Sequence, residues 1–273
     1  MSQQIMFFEK SKIDQNNENV VYTVTDATAS DTGESIAHYV GNRNNYTYWM
    51  TTDSNDAANT QLDIDMVDEY DFTDIFLVLH NFKAFTIQYW DGSAYQDFST
   101  AINETTNSDN VTRFTFNQVT SSKLRIIITG TQVADEDKQI AQIIVTSFFN
   151  QGQLNYWPVV KSPISSLNKR EVSLLSGKTL QIETIGSFSC TLDVESWLDS
   201  DDLGLVEALY FRRQGVLMYL SGGDETQFWR AQIGFREEDF YLVKPANEFN
   251  AQYRRGIYKL GNVTSIELKE SAE

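Results

Sequence analysis

Asn42-Arg43-Asn44-Asn45-Tyr46-Thr47-Tyr48-Trp49-Met50, followed by Leu62-Asp63-Ile64-Asp65-Met66, decides how this chain is read. A polar turn runs into Tyr48 and Trp49, and then Leu62, Ile64 and Met66 alternate with two aspartates. Alternation with a period of two is the pattern of a strand with one buried face and one wet face.

Working outward, Val20 to Val24 is β-branched and reads as a strand. Asp74 to His80 is a continuous apolar run, expected to be a central strand buried on both sides. Phe85, Ile87 and Tyr89 alternate with Thr86, Gln88 and Trp90. Asp91-Gly92 then predicts a hairpin turn, because such turns need positive φ. Phe114 and Phe116, then Leu124 to Ile128, then Gln139 to Phe149 continue the series.

This ordered set resembles the discoidin-like (coagulation factor 5/8 type C, galactose-binding-like) domain. The Thr47-Tyr48-Trp49 turn, the Leu62-Asp63-Ile64 strand, the Ile87-to-Phe98 hairpin and the strands Lys123–Ile128 and Ala141–Val145 carry the resemblance, over residues 20–146. It implies a jelly-roll β-sandwich that binds ligands through loops at one end. Asn44, Asn45 and Tyr46 match the region before the Thr47-Tyr48-Trp49 turn, and Asn81 and Phe82 lie between the central strand and the hairpin. Their amides and aromatic faces suit a sugar, which offers hydroxyls and a C–H face.

The second half differs. Gln151 to Leu167, with Gly152, Pro158 and Pro163, reads as a linker. Thr179–Ile185 and Ser189–Glu195 are expected as strands around Gly186. Asp199-Ser200-Asp201-Asp202 caps a predicted helix bearing Leu203, Val206, Leu209 and Tyr210, with Gly215 beyond its end. The stretches Leu220–Asp224 and Gly234–Val243 resemble pieces of tailed-bacteriophage virion, and especially tail, structural proteins. The expected organisation is an N-terminal arm (1–19), a discoidin-like sandwich (20–148), a linker (149–167) and a smaller α+β body with one helix (168–273). The fold class is mainly β.

The net charge of −17 excludes partners that need clustered cations, such as nucleic acid or an anionic membrane surface. Residues 1–150 hold 8 basic against 21 acidic side chains, and residues 151–273 hold 13 against 17. The second half, nearer neutral, has the balance of an assembly surface. One cysteine, Cys190, forbids an intrachain disulfide. The first residues lack a basic n-region, and no apolar run approaches the ~18 residues of a membrane span. Synthesis in a cytoplasm is therefore expected.

Chemistry is sparse. His38 and His80 have no ligand or nucleophile at a useful spacing, and both read as polar residues at sandwich edges. Ser221-Gly222-Gly223-Asp224 lacks the lysine and helix of a phosphate loop and reads as a hairpin turn. Asp63, Asp65, Asp68, Glu69, Asp71 and Asp74 could hold Ca²⁺, but a solvated acidic face accounts for them. No enzyme, cofactor or metal is expected. The chain is expected to be a structural or adaptor component of a phage-like particle, in the virion tail, with other virion proteins and copies of itself as partners. Phe7, Phe8, Trp229, Phe235 and Tyr241 are the expected assembly contacts. The alternative is a free carbohydrate-binding module for a cell-surface glycan.

Overall fold

The computed structural model describes residues 4–13, 19–27, 32–42, 47–52, 59–154, 160–161, 168–173, 179–184, 190–199, 215–221, 227–233, 240–243 and 253–265. The chain divides into two compact units, one of Phe8–Phe148 and one in which Met1–Phe7 joins Phe149–Ser265.

The strands in chain order begin with β1 (Gln4–Phe8), β2 (Val21–Asp26) and β3 (Trp49–Met50), with a 3-10 helix over Glu34–Gly41 before β3. Next come β4 (Thr60–His80), β5 (Phe82–Trp90), β6 (Tyr95–Glu104), β7 (Val111–Thr131) and β8 (Gln139–Thr146). In the first unit the sheet order is β3-β8-β4-β7-β5-β6, with β2 added against β4. The two 21-residue strands β4 and β7 pair in three runs, from Thr60↔Ile128 to Asp65↔Lys123, from Tyr70↔Ser121 to Phe72↔Val119, and from Asp74↔Thr115 to Val78↔Val111. Register slips between Asp65 and Tyr70 and between Phe72 and Asp74 let the pair bend. It therefore serves both layers of a β-sandwich. Val67 lies in the first irregularity with a positive φ of 69°.

Leu62, Ile64 and Met66 enter the core, while Asp63 and Asp65 face outward, as the alternation requires. Trp49 is fully buried; its indole N–H donates to the Thr32 carbonyl at 3.2 Å. Gly33, at φ 65°, is needed beside it, because a Cβ there would collide with the Met50 carbonyl. The hairpin at Asp91 is closed by its carboxylate, which accepts from the Ser93 and Ala94 N–H groups at 2.8 Å each. Those bonds lower the Asp91 pKa to about 2.

The chain enters and leaves this sandwich at one place. The Glu9 N–H donates to the Ser147 carbonyl (3.0 Å), Lys12 N–H to that of Val145 (2.8 Å), and Thr146 Oγ1 to that of Glu9 (2.7 Å). Phe8 packs on Phe76 and Phe148, with ring centroids 5.3 and 5.9 Å away, and the Arg113 guanidinium lies 5.0 Å over its ring. Beneath, the fully buried Asp74 accepts from Arg113 Nε (3.0 Å) and Nη2 (2.8 Å) and from Thr115 Oγ1 (2.9 Å). The arm expected over 1–19, whose apolar patch would pair with a sheet edge or dock on a neighbouring subunit, is corrected in its second half: Gln4–Phe8 is a strand within a sheet, and Phe8 and Ile13 are core residues of the sandwich. An apolar residue hides wherever a surface is offered, and here the sandwich offers one.

The second unit continues with β9 (Phe148–Leu154), β10 (Val160–Lys161), β11 (Asn168–Ser173), β12 (Thr179–Thr184), β13 (Cys190–Asp199), β14 (Gly215–Ser221), β15 (Gln227–Ile233), β16 (Phe240–Val243) and β17 (Tyr253–Ser265). Among the described residues its main sheet runs β10-β13-β9-β1-β14-β15-β17-β16. The N-terminal strand β1 is thus an interior strand of this sheet, between β9 and β14, and residues 8–148 are an insertion within its sequence. The segment expected as a linker supplies β9 and β10, both paired with β13. The strands expected on either side of Gly186 are β12 and β13; β12 pairs with β11, and β13 with β17. The expected helix over Leu203–Tyr210 lies outside the described residues.

Candidate functional site

Residues on the polar phase of five strands, β2, β4, β7, β5 and β6, come into line on the outer face of one sandwich layer. Cross-strand register places Thr23 beside Asp63, Asp63 beside Arg125, Arg125 beside Gln88, and Gln88 beside Asp97. A neighbouring row holds Val21, Asp65 and Lys123, with Trp90 paired to Tyr95 at the hairpin end. On the other side, Thr25, Gln61, Ile127, Thr86 and Asn103 form a third row. None of these side chains belongs to the core.

The groups fix one another. Arg125 grips Asp63 with two bonds, Nε to Oδ1 at 2.7 Å and Nη2 to Oδ2 at 2.9 Å, and the Gln61 amide adds a third at 2.9 Å. Lys123 Nζ sits 2.7 Å from Asp65 Oδ2, and the Gln88 amide donates to Asp97 Oδ1 at 2.9 Å. The Arg125 guanidinium lies 3.7 Å from the Tyr95 ring centroid, and Trp90 meets Tyr95 edge-on at 5.2 Å. The backbone of Trp90 is pinned at both polar atoms: its N–H donates to Ser121 Oγ (3.2 Å), and that hydroxyl donates to its carbonyl (2.7 Å). The bond from Lys123 to Asp65 raises the lysine pKa. Burial raises Asp65, but its bonds from Lys123 and the Val67 N–H outweigh that, and its pKa falls. The hydrogen bond to Asp63 raises Arg125, and burial raises Tyr95. The result is a sheet surface of planar donors and acceptors held in place, with two aromatic rings at one corner.

The residues singled out from the sequence fall elsewhere. Asn44, Asn45 and Tyr46 lie outside the described residues. Asn81 is 8% exposed and spent on structure: its amide donates to the Asp137 carbonyl (2.7 Å) and its Oδ1 accepts from the Gln139 N–H (3.0 Å). Phe82, 0% exposed, packs against Trp49, His80 and Phe85 and has no face to show a ligand. Asn81 is corrected from a ligand contact to a support of the segment that precedes β8, and Phe82 from a ligand contact to a core ring. Phe7 and Phe8 are likewise buried within the chain, not offered to a partner. Trp229 and Tyr241 stand on β15 and β16, opposite Met218 and Ile257, and Phe235 lies outside the described residues. His80 is a core residue, not an edge one, at 2% exposure.

Trp90, Tyr95, Arg125 and Gln88 are what sequence reasoning missed. The signal was present, since a tryptophan on the polar phase of Phe85–Trp90 is a large apolar side chain sent outward. Among the described residues no group of three or more His, Cys, Asp or Glu could hold a metal ion, and no helix is long and apolar enough to cross a membrane.

No family model matches the chain, and no curated protein does. Solved structures do. A chitosan-binding module from a Paenibacillus sp. IK-5 chitosanase/glucanase aligns with TM-score 0.40 and 14% identity, over 50% of this chain and 98% of its own. The family 32 carbohydrate-binding module of Clostridium perfringens NanJ, in complex with galactose, aligns with TM-score 0.39 and 17% identity, over 52% and 99%. Another C. perfringens module of that family, in complex with GalNAc-β-1,3-galactose, aligns with TM-score 0.37 and 12% identity, over 47% and 96%.

Proposed function

We propose that the sandwich of residues 8–148 is a non-catalytic carbohydrate-binding module and that the second unit is its scaffold. One observation carries this: the half-buried Trp90–Tyr95 pair on the outer face stands beside Arg125, Asp63, Gln88 and Asp97, whose planar groups are already locked by mutual hydrogen bonds. Sugars present an apolar C–H face and a rim of hydroxyls, and an aromatic ring with fixed planar donors and acceptors complements both. Preorganisation keeps the ordering cost of binding low.

The test is a glycan array followed by calorimetry on the full chain. Trp90→Ala should lower affinity by about tenfold or more while the circular dichroism spectrum is kept, as removal of a central aromatic contact does. Absence of any glycan ligand, or indifference to Trp90→Ala, would sink the proposal.

A place in a phage-like tail is the second role, favoured by the insertion. Both β1 and β9 to β17 build the second unit, so the sandwich is carried as an excursion from a scaffold, as a displayed module is. Light scattering on the full chain would count for this role if it found ring-sized oligomers, and against it if the chain stayed monomeric with every tail partner offered.

A further inference from the structure

We infer that the outer face of β4, β7, β5 and β6 takes an uncharged glycan chain lying across the strands, read along its length and not at its terminal sugar. The inference rests on the carbohydrate-binding proposal and makes its ligand specific.

Extent comes first. From Asp63 through Arg125 and Gln88 to Asp97 the row crosses four strands, and three spacings at ~4.8 Å make it ~14 Å long. The polar groups are strung out along this line and do not converge on a point. A terminal sugar is held by groups that surround it in a concave site. A row of side chains on a sheet surface meets successive sugars instead. Both ends of the row are open, with Thr23 exposed at one and Asp97 exposed at the other.

Hydrogen-bonding capacity is spread along the same line. Arg125 has five N–H donors, of which Asp63 engages two groups, Nε and Nη2. Asp97 accepts one bond, from Gln88, of the roughly four a carboxylate can accept. Donor and acceptor capacity therefore alternates across the strands, as a series of hydroxyls requires. The Trp90–Tyr95 corner supplies the stacking surface for a sugar at one end.

Charge selects the class of chain. Asp63 and Asp65 are matched by Arg125 and Lys123, so among its described residues the face has no cation left over for a uronic or sialic acid. The surrounding first half, with 21 acidic against 8 basic side chains, repels polyanions and also a second copy of itself. A neutral chain needs only the hydrogen bonds and the ring.

The experiment is calorimetric titration of the full chain with glucose, xylose and N-acetylglucosamine and with their neutral β-1,4 hexamers: cellohexaose, xylohexaose and N-acetylchitohexaose. Oligogalacturonate and chitosan hexamers are the charged controls. The expected result is that one neutral hexamer binds at least about tenfold more tightly than its monomer, and that Gln88→Ala and Trp90→Ala each weaken it severalfold. A monomer that binds as tightly as its hexamer, still through Trp90, would overturn the inference and leave the carbohydrate-binding proposal standing. Binding confined to a charged hexamer would overturn the neutral class. Hexamer binding untouched by either substitution would move the site off this face and overturn it too. No binding by any probe, with none on the array, would overturn both.

Discussion

His80 shows how one buried side chain writes a pH dependence into the fold. Its Nδ1 accepts the Phe82 N–H at 3.2 Å, which leaves Nε2–H to donate to Thr112 Oγ1 at 3.1 Å. Burial disfavours the charged form and lowers the pKa to about 4. The unfolded chain takes up a proton near the ordinary value of 6.5, before the folded one does. The contribution is therefore fully present above pH 6.5 and is lost as pH falls toward 4, to a total of about 3 kcal/mol. Urea unfolding at steps from pH 7.5 to 4.5 should show that slope, and His80→Gln should flatten it. An unchanged slope in the variant would assign it to other groups. At Val67 the strain is in the backbone. A β-branched residue at φ 69° costs about 1–2 kcal/mol, and its side chain, 56% exposed, packs little in return. Val67→Asn, which tolerates this region, should raise the unfolding free energy by about 1 kcal/mol; a loss would show that Val67 has packing that its exposure conceals.

At the scale of elements, the clasp around Phe8 and Asp74 holds the two ends of the sandwich. Phe8→Ala removes a fully buried ring between Phe76 and Phe148, at an expected cost of about 3–5 kcal/mol. Asp74→Ala leaves Arg113 and the Thr115 and Thr73 hydroxyls without their acceptor, for about 3 kcal/mol. Because the Arg113 guanidinium stacks on the Phe8 ring, the two losses are coupled, and the double variant should cost less than their sum. Additive effects in a double-mutant cycle would show that the ring and the ion pair act independently. Removing residues 1–12 would do more than loosen an arm, since it takes away Phe8 and the hydrogen bonds of Glu9 and Lys12 to the β8 end.

For the whole molecule, the first unit has its own core and its ends lie together, so a fragment of residues 8–148 should fold cooperatively alone. A fragment beginning at residue 18 loses Phe8 and Ile13, both fully buried. At about 3 kcal/mol each, that is comparable with the 5–15 kcal/mol of a whole domain. Thermal melts followed by circular dichroism should show a sharp transition for the longer fragment and a broad or absent one for the shorter. Equal melts would deny the N-terminal segment its place in the core.

Local sequence alone placed the strand segments of the first unit and their phase, though not that Leu62–Met66 and Asp74–His80 join as β4, or Phe114–Phe116 and Leu124–Ile128 as β7. Leu62, Ile64 and Met66 point inward, Asp91-Gly92 turns, and Trp49 is buried, because each of these outcomes is encoded within a few adjacent residues by alternation and turn chemistry. Only the tertiary structure decided which strands became neighbours. Asp63 meets Arg125 across 62 positions, and the Gln88–Asp97 pair joins their row through a register that no local pattern states. Asn81 and Phe82 looked like loop residues because the run before them ends there; the residues around Gln139 close over them. Ile5 to Phe8 looked like a sticky arm, since four apolar residues say only that they will be covered. A chain pattern specifies a demand for burial, and the partner that meets it is set by contacts distant in sequence, here the Phe76–Phe148 pocket for Phe8 and the space between β9 and β14 for β1.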